Sequence, residues 1–107
     1  MNDDIKITGR LVAAARMLTG VSQADVANAA GIPPATYKRM EASGAAPVAP
    51  AAAAQAVRHA LEGFGAIFLP ESGGAGAGVR LKFTRLDARQ LSRLEGEGGP
   101  IRDDDVP

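Results

Sequence analysis

The stretch SQADVANAAGIPPATYKRME, residues 22–41, decides how the rest of the chain is read. Ser22 has the hydroxyl that a helix start needs to satisfy its third amide, and Asp25 stands where the reciprocal acid of a capping box belongs. Val21 and Val26 are spaced as a hydrophobic staple across that start. Val26, Ala27 and Ala30 then share a face, and Gly31 suits the left-handed position that closes a helix. A residue before proline is pushed out of the helical region, so Ile32 and Pro33 are expected to be extended and a new helix to begin at Pro34. The stretch therefore predicts two short helices joined by a glycine turn, the second running over about 34–42.

Outward from this pair, Thr8 caps a helix over about 9–19, with Leu11, Ala14, Ala15 and Leu18 at inward spacing and Gly20 at its end. On the other side, GAAPVAP (44–50) is a connector to a fourth helix at about 51–63, whose apolar stripe is Ala54, Val57, Leu61 and Phe64. The pattern changes at Gly65. AIFLP (66–70) reads as a short buried strand and ESGGAGAG (71–78) as a link. VRLKFT (79–84) reads as a strand with Val79, Leu81 and Phe83 inward and Arg80, Lys82 and Thr84 outward. A hairpin of this size is marginal alone and has to pack on the helices or on another chain. Asp87 caps a last short helix to about Glu95, and GEGGPIRDDDVP (96–107) has the composition of an acidic flexible tail. The expected fold class is mainly α. Residues 1–64 form a helical domain, 65–95 a hairpin plus short helix, and 96–107 a tail.

Composition narrows the function classes. A chain of 107 residues buries only a modest core, so a second copy is an expected source of stability. The absence of cysteine excludes disulfides and thiolate metal sites. No apolar run approaches the roughly 20 residues needed to span a bilayer, and MNDDIKITGR lacks a signal peptide's basic and apolar regions, so a cytoplasmic protein with no membrane partner is expected. Formal net charge is zero, which argues against indiscriminate polyanion binding. The charge is unevenly placed, however: +1 over residues 1–44, +2 over 45–86 and −3 over 87–107. A locally basic surface is compatible with overall neutrality, and the local surface is what a nucleic acid meets.

Two helices joined by a tight glycine turn form a unit in which one helix crosses a phosphate backbone while the other enters a major groove. The text RMLTGVSQADVANAAGIPPATYKRME (16–41), within about residues 8–63, resembles the lambda-repressor-like, or XRE-family, helix-turn-helix of bacterial and phage transcription regulators. The resemblance implies a four- to five-helix domain, followed here by the hairpin and short C-terminal helix. It places Ser22 and Gln23 at phosphate, and Ala27 and Gly31 at the family's small helix residue and turn glycine. It pairs Glu41 with Arg16 as a structural ion pair. Its groove-facing positions fall on Pro33, Pro34, Ala35, Lys38 and Arg39. Of these, Pro34, Ala35, Lys38 and Arg39 meet bases, while Pro33 and Thr36 lie at the backbone and Tyr37 and Met40 turn to the core.

The prolines depart from the family's polar pattern, since neither has a side-chain donor or a backbone amide. Polar reading is left to Arg39, suited to bidentate contact with guanine, and to Lys38, within reach of guanine or phosphate. Pro34 and Ala35 are suited to thymine methyls, and groove shape supplies a share of specificity.

Other motifs carry less. GGAGAG (73–78) is followed by a strand rather than by the helix that a dinucleotide fingerprint requires, and no GK[ST] is present. His59 is the sole histidine, with no cysteine or second histidine to share a metal. Ser22 and Ser43 have no histidine at a recognisable spacing, and Asp103 to Asp105 are contiguous, as in a solvated tail. No enzyme activity, metal or cofactor is expected.

The resemblance implies a homodimer on paired half-sites about one helical turn apart, which needs a symmetric interface outside the DNA-reading half. Phe68, Val79, Leu81 and Phe83 of the hairpin, with the fourth-helix stripe, are the expected contacts. A rival reading packs the hairpin internally and makes Arg80, Lys82 and Arg85 a wing beside the duplex. The expected function is a sequence-specific double-stranded DNA-binding transcriptional regulator. The alternative is a protein-interaction module or antitoxin-like regulator whose acidic tail binds RNA polymerase or another protein.

Overall fold

The computed structural model describes residues 5–84, in which four helices and a two-stranded antiparallel sheet enclose one core. The helices are α1 (Gly9–Thr19), α2 (Gln23–Ala30), α3 (Pro34–Ala42) and α4 (Ala51–Gly63); the strands are β1 (Ala66–Leu69) and β2 (Gly78–Leu81). The fold is mostly α. The expected helix at 87–95 and the tail at 96–107 lie outside the described residues.

Local chemistry sets the element boundaries. Thr8 accepts a hydrogen bond from the Leu11 amide at the start of α1. Ser22 accepts from the Asp25 amide at 3.0 Å while Asp25 accepts from the Ser22 amide at 3.4 Å, a complete capping box. Gly31 has φ 73°, a left-handed conformation that a Cβ would strain, and from it the chain turns directly into the extended Pro33 and the first residue of α3, Pro34.

The core joins α1, α2, α3 and α4 through Val12, Ala15, Val26, Ala27, Tyr37, Met40, Val57 and Leu61, with Ile5, Ile7 and Val48 closing one side. The Val48 amide donates to the Ile7 carbonyl at 2.7 Å, so the connector between α3 and α4 is fastened to the N-terminal segment. Gly9 marks the closest approach of α1 to α3: a Cβ there would collide with the Met40 and Glu41 carbonyl oxygens and the Ser43 hydroxyl.

One expected face is corrected. On α1, Ala14 and Leu18 are exposed, while Val12 and Ala15 are buried. The helix turns toward α3, α4 and the sheet along a stripe rotated from the one its alanines suggest. In the hairpin, Val79, Leu81 and Phe83 are half-buried while Arg80, Lys82 and Thr84 are exposed, the alternation that the sequence predicts. Phe68, only 5% exposed, pairs with Val79, and Ala66 pairs with Leu81, so these residues share the sheet face packed on the helices. Phe83 covers Gly65 from the same end of the hairpin. Phe68, expected as an interface residue, belongs to the chain's own core, where Arg58 also lies over its ring at 5.7 Å. The α4 residues Ala54, Val57 and Leu61 are likewise in that core, whereas Phe64, expected on the same stripe, is exposed at the helix end.

Candidate nucleic-acid interface

Helices α1, α2 and α3 meet at one carboxylate. Glu41, in the last turn of α3, accepts from Arg16 Nε of α1 at 2.5 Å, from the Tyr37 hydroxyl at 2.5 Å and from Gln23 Nε2 of α2 at 2.9 Å. Arg16 also reaches the Val21 carbonyl at 3.2 Å, which ties the α1–α2 connector to the same point. The Arg16 and Glu41 side chains are 20% and 11% exposed, so water screens the pair weakly. Burial alone would raise the Glu41 pKa, but the hydrogen bonds from Arg16, Tyr37 and Gln23 outweigh it and hold the carboxyl below its ordinary range. Burial, and then the bond to Glu41, push the Tyr37 hydroxyl well above its ordinary range; the bond to Glu41 also raises Arg16.

Outside this clamp, α3 presents Pro33, Pro34, Ala35, Lys38 and Arg39 to solvent, while Tyr37 and Met40 are buried beneath them. Thr36 is half-buried, and its hydroxyl accepts from Arg39 Nη2 at 3.5 Å. Among the described residues Lys38 makes no hydrogen bond or ion pair. The α3 start has no side-chain cap, and with Pro34 lacking an amide, its free donors are the Ala35 and Thr36 amides. The exposed outer turn is therefore apolar at its beginning and cationic one turn later.

At the start of α2, helix geometry leaves the Gln23 and Ala24 amides without an intrahelical partner. Ser22 is exposed, with its hydroxyl oxygen engaged by the Asp25 amide and its hydrogen still available. The Gln23 side chain does not project freely: one amide hydrogen goes to Glu41, leaving the other for an outside acceptor. Asp25 puts a carboxylate beside the same amides and weakens their attraction for a phosphate.

The expected base-contact residues of α3 are thus left to solvent, whereas of the hairpin residues Phe68 is in the core, Val79 packs against it, and Leu81 and Phe83 are half-buried. Sequence reading paired Arg16 with Glu41 through the resemblance but gave no role to the Tyr37 hydroxyl or to the Gln23 contact with Glu41. Tyr37 and Glu41 are four positions apart, the spacing of neighbours on a helix face, and that signal could have found the first; the Gln23 contact has no local signature.

Among the described residues no group of three or more His, Cys, Asp and Glu side chains could hold a metal, and no helix is long and apolar enough to cross a membrane. Comparison with protein-family models, curated proteins and solved structures gave no match.

Proposed function

We propose that the chain is a sequence-specific double-stranded DNA-binding transcriptional regulator of lambda-repressor-like helix-turn-helix type. Helix α3 enters the major groove and the start of α2 meets the phosphate backbone. The observation that carries this reading is the clamped helix pair: a one-glycine turn, two helices and α1 joined at Glu41, and an outer α3 face left to solvent. Nine residues give α3 a length of about 13 Å, enough for its first two turns to lie along base edges in a groove about 12 Å wide.

The roles follow from chemistry. Arg39 meets guanine, Lys38 meets guanine or phosphate, and Pro34 and Ala35 press on thymine methyls. Pro33, Thr36, Ser22 and the free Gln23 hydrogen lie along the backbone. The regulator acts as a homodimer. With Phe68 spent on the protomer's own core, the hairpin's exposed apolar residues for a second copy are Ile67 and Leu69, each 38% exposed on the opposite face. Selection of duplexes from a random pool tests the reading. Replacing Arg39 with Ala should relax preference at one base pair of the enriched site, whereas unchanged preference at every position rules out the assigned contact.

A further inference from the structure

A cleft of about 790 Å³ opens on the structure beside the N-terminal segment. One wall is the helical half: Ile5, Lys6, Arg10 and Leu11, from the segment leading into α1 and from its first turn. The other wall is the hairpin's connection, with Pro70, Glu71 and Ala77. Its size falls within the range of small-molecule sites, and its lining mixes apolar residues with Thr8 and three charged side chains.

Three observations give the cleft a chemical preference. Lys6, Arg10 and Glu71 are exposed, and among the described residues none of their side chains has a hydrogen bond or ion pair, the Arg10 backbone amide being bonded to the Gly44 carbonyl, so all three charged ends are available to a ligand. Two cations and one carboxylate leave one unit of positive charge, which matches a monoanion better than a dianion. The first turn of α1 has no acidic residue and carries Arg10, although the positive end of a helix dipole disfavours a cation and favours an anion. The buried Ile5 and half-buried Leu11, with Pro70 and Ala77, supply a surface for an apolar body behind the charged group.

We propose that this cleft binds a small organic carboxylate, its headgroup held by Lys6 and Arg10 and its hydrocarbon body lying against Ile5, Leu11, Pro70 and Ala77. Charge-assisted bonds to the two cations select the headgroup, and burial of the hydrocarbon supplies affinity. The site stands independently of the DNA-binding reading. Because its walls belong to the helical half and to the hairpin, occupancy bears on how those two halves pack, which is where an effector of the proposed regulator would act.

The test uses the full chain with octanoate as probe and octylamine as its charge-reversed control, followed by amide chemical shifts without DNA. Saturable octanoate shifts confined to residues near 5–11, 45 and 70–77, with no matching response to octylamine, are the expected result. The Lys6→Gln, Arg10→Gln double variant should weaken octanoate binding by about tenfold or more. Glu71→Gln should strengthen it several-fold, a gain that loss of folding cannot imitate. Equal binding of octanoate and octylamine, shifts elsewhere, no saturable shifts at millimolar octanoate, or affinities unmoved by these substitutions would each overturn the proposal.

Discussion

Gln23, the first residue of α2, donates its side-chain amide to the carboxylate of Glu41 in the last turn of α3, at 2.9 Å. This contact crosses the glycine turn and meets Arg16 of α1 at the same carboxylate, so the core packing of the helix pair is supplemented by three helices converging on one acid. Replacement of Glu41 by Ala would leave the largely buried Arg16 charge and Tyr37 hydroxyl without their partner. Stability should fall by about 2–4 kcal/mol, toward the lower part of the range for broken buried pairs because Arg16 keeps some solvent contact. Urea denaturation measures the loss, and a change under about 1 kcal/mol would class the pair with exposed ones.

The same clamp sets a pH window. Folding lowers the Glu41 pKa below its ordinary 4.5, so the unfolded chain binds more protons there and the clamp's stabilisation is lost as pH falls from about that value. Folding raises the Tyr37 pKa above its ordinary 10.0, so its contribution is present below that value and is lost as pH rises beyond it. Midpoint temperature against pH should therefore decline at both ends. Glu41→Gln should flatten the acid decline and Tyr37→Phe the alkaline one, whatever each substitution costs at neutral pH.

Gly9 fixes how closely α1 can cross α3. A methyl group there meets backbone carbonyls rather than the yielding end of a side chain, so Gly9→Ala should destabilise by about 1–3 kcal/mol despite alanine's better helix propensity. An unchanged or raised unfolding midpoint would contradict the close approach.

Element boundaries were legible in the sequence because their causes are local: the Ser22–Asp25 box, the left-handed Gly31 and the start at Pro34 each lie within a few residues of what they control. Faces were less legible. In α1, alanines on several sides make alternative stripes nearly equivalent, and only the packing against α3, α4 and the sheet chose Val12 and Ala15 over Ala14 and Leu18. The alternation in the hairpin correctly grouped Val79 and Leu81 on one side, but period two says nothing about which chain covers that side. Of the candidate site, the exposed α3 positions followed from the start at Pro34, whereas the union of Gln23, Tyr37 and Arg16 at Glu41 depends on three helices meeting.

The hairpin's two faces make separable predictions. Phe68→Ala removes a buried ring and should cost about 3–5 kcal/mol without acting directly on association. Ile67→Asp with Leu69→Asp changes exposed positions and should yield folded monomers in sedimentation. Dimers that persist in the double variant would place the symmetric contact elsewhere.

Along the proposed interface, Lys38→Ala should weaken all duplexes by similar factors and reduce the salt dependence by about one phosphate contact if Lys38 is spent on the backbone. Thymine-to-uracil replacement within the enriched site should weaken binding at the base pairs beside Pro34 and Ala35, through loss of the methyl groups alone. Uracil substitution without effect at every thymine would remove methyl contact from the account.

The most direct measurement is the affinity of the full chain for a duplex enriched from a random pool, compared with a scrambled duplex of the same composition at one salt concentration. The account predicts a preference of roughly a thousandfold or more, reduced by Arg39→Ala. Failure of any sequence to enrich, or equal affinity for the two duplexes, would contradict it.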